Sequence, residues 1–343
     1  MAVSMPLLSL SMPSNKPLEK SRAAIESALA FCEARDALLI VADSADDPEK
    51  QRFCQSVSPR LRYLASREKR ALFNFNCAIQ AAETDFIMPM ADDDLIFADA
   101  GEPSVDLACL PAGVAGLFPV REEVGENDSV SATRTFSLPG ADPAERMRTY
   151  LSEAGGRNSA FYSIFRRRTL QGIMRLLTAF HPNGGAYTDW SVVLCQLACG
   201  PVLFDGSIRY RYRLGNWADA QTSAASLAGL YREAGLPEAS PLWMRLLTYL
   251  DLFVLVSSPV VALGEDDKAQ LTARLSSGLL LDFTSRVADD PAGFDDHALA
   301  LCTMITEEAD SFTRFQLSLM LVDRLQPGLK DRYVAFFRAA LAN

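Results

Sequence analysis

The sequence predicts an α/β domain followed by an all-helical region. Short apolar runs alternate with amphipathic helical segments over about the first hundred residues. The run from Phe86 to Met90 is apolar throughout, which is typical of a strand that helices cover on both faces. From Ala220 onward the apolar residues recur only at helical spacing. We therefore expect a mostly parallel central sheet flanked by helices in residues 1–219, and a helical domain in residues 220–343.

The elements of the first half follow one another as strand, helix, strand. The predicted strands are residues 6–12, 37–41, 61–64 and 86–90, and the predicted helices are residues 18–31, 49–56 and 71–82. Turn residues such as Pro13-Ser14-Asn15 separate them. Alternating strands and helices of this length indicate a parallel sheet with right-handed crossovers.

The pattern loosens after Asp99 and then becomes regular again. Residues 158–165 are predicted to form a strand, followed by a helix that reaches Leu177. A loop that contains Thr188 and Asp189 comes next, and a second, apolar helix over residues 192–198 follows it. The closing strands are residues 202–204 and 208–213. For the helical tail, three roles stay open: holding an acceptor, forming a homo-oligomer, or docking on a membrane surface.

Composition excludes several classes of protein. The 343 residues are 49% hydrophobic and 22% charged, with a formal net charge of −10, so we expect neither disorder nor a nucleic-acid partner. Seven scattered cysteines indicate a reducing compartment. No signal peptide is evident, and we expect a cytoplasmic protein. Residues 242–263 are apolar but contain Arg245 and Asp251, which favours a buried helix over a membrane span.

Three adjacent carboxylates follow the apolar run at Phe86, namely Asp92, Asp93 and Asp94. In open α/β sheets the ligand lies beyond the carboxyl ends of the strands. Adjacent carboxylates repel one another, and a hard divalent cation relieves that repulsion. Mg²⁺ takes one or two protein carboxylates and fills its other positions with water and phosphate oxygens. The alternative is a solvated acidic turn or a helix cap.

Four segments of the first half resemble the nucleotide-binding half of the inverting GT-A glycosyltransferases of family 2. They are Met12-Pro13-Ser14-Asn15, Val41-Ala42-Asp43-Ser44, Asn76-Cys77-Ala78-Ile79 and Ala91-Asp92-Asp93-Asp94. Their order and spacing agree with that family over about the first hundred residues. The resemblance implies the GT-A fold and a nucleoside-diphosphate sugar as donor.

The resemblance also implies roles for individual residues. Pro13, Ser14 and Asn15 would embrace the nucleoside, and Asp43, with Ser44 beside it, would bind the nucleobase. The acidic motif would hold Mn²⁺ or Mg²⁺ on the diphosphate. Because the commonest first Asp of that motif falls on Ala91, Asp93 is the predicted metal ligand, and the choice between Asp92 and Asp94 as its companion stays open.

Basic residues follow the third strand at the same predicted edge of the sheet. Arg67 and Lys69 would add positive charge near the phosphates, since a departing nucleoside diphosphate concentrates negative charge. A solvated basic turn is the alternative interpretation of these residues.

An inverting transfer also needs a base that takes the proton of the acceptor hydroxyl. Asp189 has the residue type and the position at which the family places an acidic pair at the start of a helix, although Thr188 replaces the first acid. The alternative is that Asp189 only caps the helix.

The sequence thus predicts a metal-dependent inverting glycosyltransferase acting on a hydroxyl of a glycan, a lipid-linked sugar or a protein. One alternative is a GT-A-like protein that binds the nucleotide sugar without transferring it. The other is a nucleotidyltransferase, against which the absence of a Gly-rich loop after the first strand argues.

Overall fold

A computed structural model describes residues 6–99, 104–125, 127–185 and 187–342. The chain forms two compact units. The first comprises residues 1–141, 149–172 and 200–218, and the second comprises residues 142–148, 173–199 and 219–343. The chain passes into the second unit for the last time at Asp219.

The first unit contains the sheet. Its strands are β1 (Leu8–Ser14), β2 (Ala37–Asp43), β3 (Leu61–Ala65), β4 (Phe86–Pro89), β5 (Leu95–Ala98), β6 (Gly116–Val124), β7 (Val130–Arg134), β8 (Ile164–Arg166) and β9 (Val202–Arg213). Its helices are α1 (Leu18–Ala34), α2 (Pro48–Ser56) and α3 (Ala71–Gln80). Two further helices, α4 (Pro143–Glu153) and α5 (Arg167–Phe180), have residues in both units.

The strands of the described residues form one sheet in the order β3-β2-β1-β4-β8-β6-β9-β5, and β7 pairs with β6. β3, β2, β1 and β4 are mutually parallel, β6 and β9 are also parallel, and β8, β5 and β7 pair antiparallel with their neighbours. The predicted α/β class with a sheet flanked by helices is confirmed. The parallel half of the sheet is the half whose elements the sequence predicts most closely.

The core of the first unit explains why the apolar runs form strands. Leu10 and Met12 of β1, Leu39 of β2 and Met88 of β4 are fully buried and pack with Ile25 of α1 in one cluster. Burying one such side chain stabilises the fold by about 1.5–3 kcal/mol. Burial of these side chains therefore fixes the register of the parallel strands. Their carboxyl ends lie along one edge of the sheet.

β1 extends two residues beyond its predicted end, through Pro13 to Ser14. Proline has no N–H to donate to a sheet. β4 pairs with β1 only as far as Ser11, whereas β2 pairs with it as far as Ser14. Pro13 therefore stands where β1 has a neighbour on one side only, and the strand continues past it.

Three other predicted strands differ from the structure. Residues Ser159–Tyr162 form a 3₁₀ turn, and only Ile164–Arg166 is a strand. The turn is held by the backbone N–H of Ala160, which donates to the Tyr150 hydroxyl (3.0 Å). The two predicted closing strands are one continuous strand, β9, with an irregularity opposite Pro119 and Val120. This irregularity takes up Gly206, Ser207 and Ile208, which have no partner on β6, at the place where residues 205–207 separate the two predicted strands in the sequence.

The second unit is helical. Its helices are α6 (Asp189–Cys199), α7 (Ala220–Glu233), α8 (Met244–Ser257), α9 (Glu265–Leu275), α10 (Leu281–Asp289), α11 (Asp296–Glu307), α12 (Ser311–Leu325) and α13 (Leu329–Ala342), with a π-helical turn at Ser276–Leu280. The predicted all-helical C-terminal region is confirmed.

α8 is a buried helix of this unit and carries one buried acid, Asp251. Its carboxylate accepts hydrogen bonds from Ser191 Oγ (3.1 Å) and Tyr333 OH (2.9 Å) and lies 2.9 Å from His181 Nε2. Such pairing is what a buried carboxylate requires. Among the described residues one stretch, Ser240–Ser257, has the length and apolarity of a membrane span, and 67% of it is buried within the protein.

Candidate functional site

The carboxyl ends of β1, β2 and β3 meet in register at one edge of the sheet. Ser14 pairs with Asp43, and Asp43 pairs with Ala65. β4 ends beside β1 and is followed by the three acids. The structure therefore brings together the first loop, the acid after β2 and the acidic motif, as the sequence predicts. All of them belong to the first unit.

Asp43 lies at the bottom of this site, and its side chain has 0% exposure. Its Oδ1 accepts a hydrogen bond from Lys50 Nζ (2.8 Å) and one from the backbone N–H of Ala45 (3.2 Å). Its Oδ2 accepts a hydrogen bond from the Tyr63 hydroxyl (3.0 Å). Both carboxylate oxygens are thus engaged and covered by protein. Direct contact with a nucleobase, which the resemblance implies, stays a prediction.

Lys50 is the partner that sequence reasoning missed. Its side chain also has 0% exposure, and its three N–H groups find three acceptors. These are Asp43 Oδ1 (2.8 Å), Ser14 Oγ (2.5 Å) and the backbone carbonyl of Lys16 (2.8 Å). An ammonium has three donors and no acceptor, so Lys50 is fully satisfied. One side chain thereby connects the acid after β2 to the loop after β1.

Further side chains hold the same loop from behind. Asn74 of α3 donates its amide N–H to the carbonyls of Ser14 (3.3 Å) and Ala42 (3.0 Å). The Ser44 hydroxyl donates to the Ser14 carbonyl (3.3 Å). Burial and the charge of Asp43 raise the pKa of the Tyr63 hydroxyl, so this group remains a neutral donor. The loop after β1 is consequently fixed by contacts from three neighbouring segments.

Asp92 joins the acidic motif to the first loop. Its Oδ2 accepts a hydrogen bond from Ser14 Oγ (2.5 Å) and longer ones from the backbone N–H groups of Asn15 (3.3 Å) and Lys16 (3.4 Å). Its Oδ1 lies 3.1 Å from Lys16 Nζ. Asp92 therefore uses its Oδ2 to order the loop, and its Oδ1 faces the Lys16 ammonium.

Asp93 is the accessible acid of the three, with a side-chain exposure of 45%. Its Oδ2 lies 2.5 Å from Lys16 Nζ, whose side chain is 32% exposed. Burial lowers the pKa of Lys16, whereas its hydrogen bond to Asp93 and the charges of Asp92 and Asp93 raise it, and the net effect is a raised pKa. One ammonium thus bridges two carboxylates at the rim of the site.

Asp94 faces the opposite way and is buried. Its Oδ2 accepts from the Tyr210 hydroxyl (2.7 Å) and its Oδ1 from the backbone N–H of Arg213 (2.8 Å). Burial, together with the neighbouring charge of Asp93, raises the pKa of the Asp94 carboxyl to about 7. The Tyr210 hydroxyl also accepts from the backbone N–H of Ala91 (3.2 Å). Asp94 therefore connects the acidic motif to β9.

The predicted basic residues lie on the loop after β3. Arg67 and Lys69 are both exposed. Lys69 Nζ donates to the carbonyl of Ser44 (3.0 Å) and lies 3.1 Å from Asp46 Oδ2. The structure thus brings Lys69 to the loop after β2, beside Asp43, while a contact to phosphate stays a prediction for both residues.

Asp189 is the first residue of α6 and belongs to the second unit. The preceding Thr188 is buried, and its hydroxyl donates to the carbonyl of Gly185 (2.9 Å). Tyr187 has a left-handed backbone conformation (φ 55°), which is uncommon for a bulky residue. Burial and the charge of Asp189 raise the pKa of Tyr187 to about 12. The loop therefore places the carboxyl group of Asp189 beside the neutral phenol of Tyr187.

His181 orders the loop that leads to Asp189. Its Nδ1 accepts hydrogen bonds from the backbone N–H groups of Asn183 (3.3 Å) and Gly185 (3.0 Å), and its Nε2 lies 2.9 Å from Asp251 Oδ1. A ring nitrogen that accepts carries no proton, so Nε2 is the donor to Asp251. His181 is thus a structural residue of the second unit.

The predicted metal site can be tested against this geometry. Within the described residues no group of three or more His, Cys, Asp or Glu side chains could hold a metal ion. Asp92 Oδ1 and Asp93 Oδ2 nevertheless converge on a single cation, the Lys16 ammonium. Two carboxylate oxygens suffice for Mg²⁺ where phosphate and water complete its shell. Asp92 and Asp93 fit such an ion, whereas both oxygens of Asp94 are hydrogen-bonded elsewhere.

Lys16 and Lys50 are the functional residues that the sequence did not reveal. One signal for Lys50 exists, since it lies four residues before the buried Cys54 on α2 and so shares the inward face of that helix. Lys16 has no such signal, because its partners lie more than seventy positions away in the sequence.

No family model and no curated protein matches this sequence. Its fold is similar to that of crystal structures of S. aureus TarS 1–349. The TM-score is 0.42 and the identity 12%, over 91% of this chain and 90% of that chain. A structure of that protein in complex with UDP has a TM-score of 0.42 and 13% identity, and one in complex with UDP-GlcNAc has 0.42 and 11%, with the same coverage.

Proposed function

We propose that this chain is a metal-dependent inverting glycosyltransferase that moves a sugar from a nucleoside-diphosphate donor to a hydroxyl acceptor. The observation that supports this most is the meeting of three predicted segments at one sheet edge. Ser14 donates a hydrogen bond directly to Asp92, and Lys50 donates to both Ser14 and Asp43, so that the three segments are connected. In open α/β sheets this edge is the ligand-binding edge.

The residues of the first unit divide the work of donor binding. Pro13, Ser14 and Asn15 form the loop on which the nucleoside rests. Asp43 has no exposed side-chain surface, so we expect it to support that loop through Lys50. Asp92 and Asp93 are the acids that hold Mn²⁺ or Mg²⁺, and such an ion acts as a Lewis acid that stabilises the diphosphate leaving group.

Asp189 is proposed as the general base of the second unit. A carboxylate at the start of a helix can take the proton of an acceptor hydroxyl as that oxygen attacks. Tyr187 beside it stays protonated at neutral pH, because its pKa is raised to about 12. Proton removal therefore falls to the carboxylate.

Binding of UDP or GDP by calorimetry tests the donor site. We expect binding that requires Mn²⁺ or Mg²⁺, and we expect Asp93→Asn to weaken it by roughly tenfold or more, because a loss of about 1.4 kcal/mol is tenfold in affinity. Asp46→Asn is the matched control, since Asp46 is an exposed acid at the same edge and has a left-handed backbone (φ 55°) that Asn also tolerates. Equal, metal-independent binding by wild type and Asp93→Asn would remove Asp93 from the metal site.

Turnover tests the role of Asp189. We expect Asp189→Asn to lower transfer by roughly 10²–10⁴ while the dissociation constant of the donor stays nearly unchanged. Asp296→Asn is the matched control, because Asp296 is likewise the first residue of a helix in the second unit. Asn serves as well as Asp at helix starts. If both variants kept wild-type turnover, Asp189 would be a helix-start residue only.

A panel of sugar nucleotides identifies the donor. A ligand that binds only the folded protein raises its thermal stability by mass action. If one sugar nucleotide alone raises the melting temperature, it identifies both the nucleobase and the sugar of the donor. Tight, metal-dependent binding without transfer or hydrolysis of any donor would instead favour a binding protein.

A further inference from the structure

The ammonium of Lys16 occupies the place between Asp92 and Asp93 where a divalent cation would bind. It lies 3.1 Å from Asp92 Oδ1 and 2.5 Å from Asp93 Oδ2. No other pair of the acidic motif converges in this way, within the residues that the structure describes, because Asp94 turns toward Tyr210 and the Arg213 backbone. The chain thus supplies its own counter-ion to the pair of acids proposed to hold the metal.

The Lys16 side chain can leave without disturbing the loop. Its backbone is held independently, since its N–H donates to Asp92 Oδ2 (3.4 Å) and its carbonyl accepts from Lys50 Nζ (2.8 Å). Its side chain is one third exposed, and of its two partners Asp93 is 45% exposed and Asp92 is 9% exposed. An ion pair as exposed as that with Asp93 contributes little free energy, typically about 0–1 kcal/mol. Asp92 keeps the hydrogen bonds that it accepts from Ser14 and Asn15 when the ammonium leaves. The contacts at the rim are therefore exchangeable, whereas the backbone position is fixed.

An ammonium and a metal ion cannot occupy the same two oxygens together. Two like charges at about 4 Å repel by roughly 1 kcal/mol in water and by roughly 4 kcal/mol near a protein surface. Metal binding must then displace the Lys16 side chain from Asp92 and Asp93. A diphosphate at the same edge offers the displaced ammonium a new anion, and lysine is a common phosphate ligand.

We propose that Lys16 is an exchangeable counter-ion: it bridges Asp92 and Asp93 in the metal-free protein and moves to the diphosphate when metal and donor bind. This inference rests on the proposed function for its second step. It makes metal alone a weak ligand and makes metal and nucleoside diphosphate bind better together. Lys16 thus acts as a binding residue for the donor. In the metal-free site, Asp92 and Asp93 hold its ammonium in place.

Lys16→Met tests this exchange because its two effects have opposite signs. Free Mn²⁺ measured by electron paramagnetic resonance should show roughly tenfold tighter binding of Mn²⁺ alone, since the competing cation is gone. Calorimetry with UDP at saturating Mn²⁺ should show roughly tenfold weaker binding of UDP, since one charge-assisted contact to phosphate is lost. Lys16→Gln, which keeps a polar side chain without the charge, should behave in the same way.

Lys20→Met is the matched control for the loss of one positive charge near the loop. Lys20 is exposed on α1, four residues after Lys16. It should change neither affinity by more than about twofold, which is below 0.5 kcal/mol.

Two results would overturn the exchange. Equal Mn²⁺ affinity in wild type, Lys16→Met and Lys16→Gln would show that Lys16 does not compete with metal. Weaker binding of both Mn²⁺ and UDP in the folded variants would show that Lys16 only supports the loop. Should wild type bind Mn²⁺ but no nucleoside diphosphate, the proposed function would fail, while the Mn²⁺ comparison would still decide whether Lys16 competes.

Discussion

Two lysine–aspartate contacts stand in the same site and differ in burial. At the bottom, Lys50 and Asp43 both have 0% side-chain exposure, and the ammonium makes three hydrogen bonds. At the rim, Lys16 and Asp93 are 32% and 45% exposed. The closest contacts have similar lengths, 2.8 Å and 2.5 Å. Distance alone therefore does not distinguish the two.

Burial decides what each contact can do. An ion pair away from water cannot separate unless both charges find new partners, and removing one partner leaves an uncompensated charge. An exposed pair separates readily, because water and salt replace each partner. The buried contact thus suits a permanent structural role, and the rim contact suits exchange with a ligand. Variants that remove one partner at a time test this difference.

Lys50→Met should have the largest effect on stability. The substitution leaves Asp43 buried without its cation and frees the Ser14 hydroxyl and the Lys16 carbonyl. Breaking a buried pair in this way costs roughly 3–5 kcal/mol. Hydrogen exchange of peptides from β1 and β2 measures this loss locally, as a matching fall in the free energy of opening.

The double variant Lys50→Met, Asp43→Leu is the control for that prediction. Replacing both charges by apolar groups of similar volume is often nearly neutral. We expect the double variant to recover roughly half of the lost protection or more. A single variant with unchanged protection would mean that the buried contact does not stabilise the first unit.

Tyr63→Phe should have an intermediate effect. It removes one hydrogen-bond donor from Asp43 Oδ2 and keeps the pair with Lys50 intact. A hydrogen bond to a charged group contributes roughly 1.5–3 kcal/mol, and the lower end applies because Tyr63 is only partly buried. The same β2 peptides should therefore exchange faster by roughly tenfold. If Tyr63→Phe lost as much protection from exchange as Lys50→Met, the buried charge pair would not be the larger contribution to stability.

The sequence predicts the strands and the acids of this site, but not the two lysines that pair with those acids. The strands β1, β2 and β4 were predictable because their apolar runs have one physical explanation, burial on both faces. The sites at Asp43 and Asp92 followed, since acids at the ends of parallel strands meet at one edge. The identity of their cations did not follow. Lys16 contacts Asp92 across 76 sequence positions. Lys50 lies only seven positions from Asp43, but a lysine is almost never fully buried unless it is paired, so its residue type predicts a surface position.

The turn at Ser159–Tyr162 shows the other limit of sequence reasoning. Aromatic and β-branched residues favour strands, but this preference depends on context. The ring of Phe161 instead packs edge-on against those of Phe75 and Tyr162, with distances between ring centroids of 5.4 Å and 5.3 Å. The backbone N–H of Ala160 in the turn donates a hydrogen bond to the Tyr150 hydroxyl. Packing against Phe75, which is remote in sequence, and the hydrogen bond to Tyr150 thus outweigh local propensity.

Lys16→Met should have the smallest effect on stability. Its contact with Asp93 lies at the rim, where an ion pair contributes roughly 0–1 kcal/mol. The largely buried Asp92 keeps the hydrogen bonds that it accepts from Ser14 and Asn15. The loop itself remains held by Lys50 and by the hydrogen bond of Ser14 to Asp92. We therefore expect hydrogen exchange of the β1 peptide to match wild type within about fivefold, although the same variant alters Mn²⁺ affinity. Protection lost to the extent expected for Lys50→Met would show that the rim contact is structural. The Lys16 ammonium would then be held too firmly to exchange with a metal ion. Lys16 and Lys50 would both be structural residues, despite their different burial.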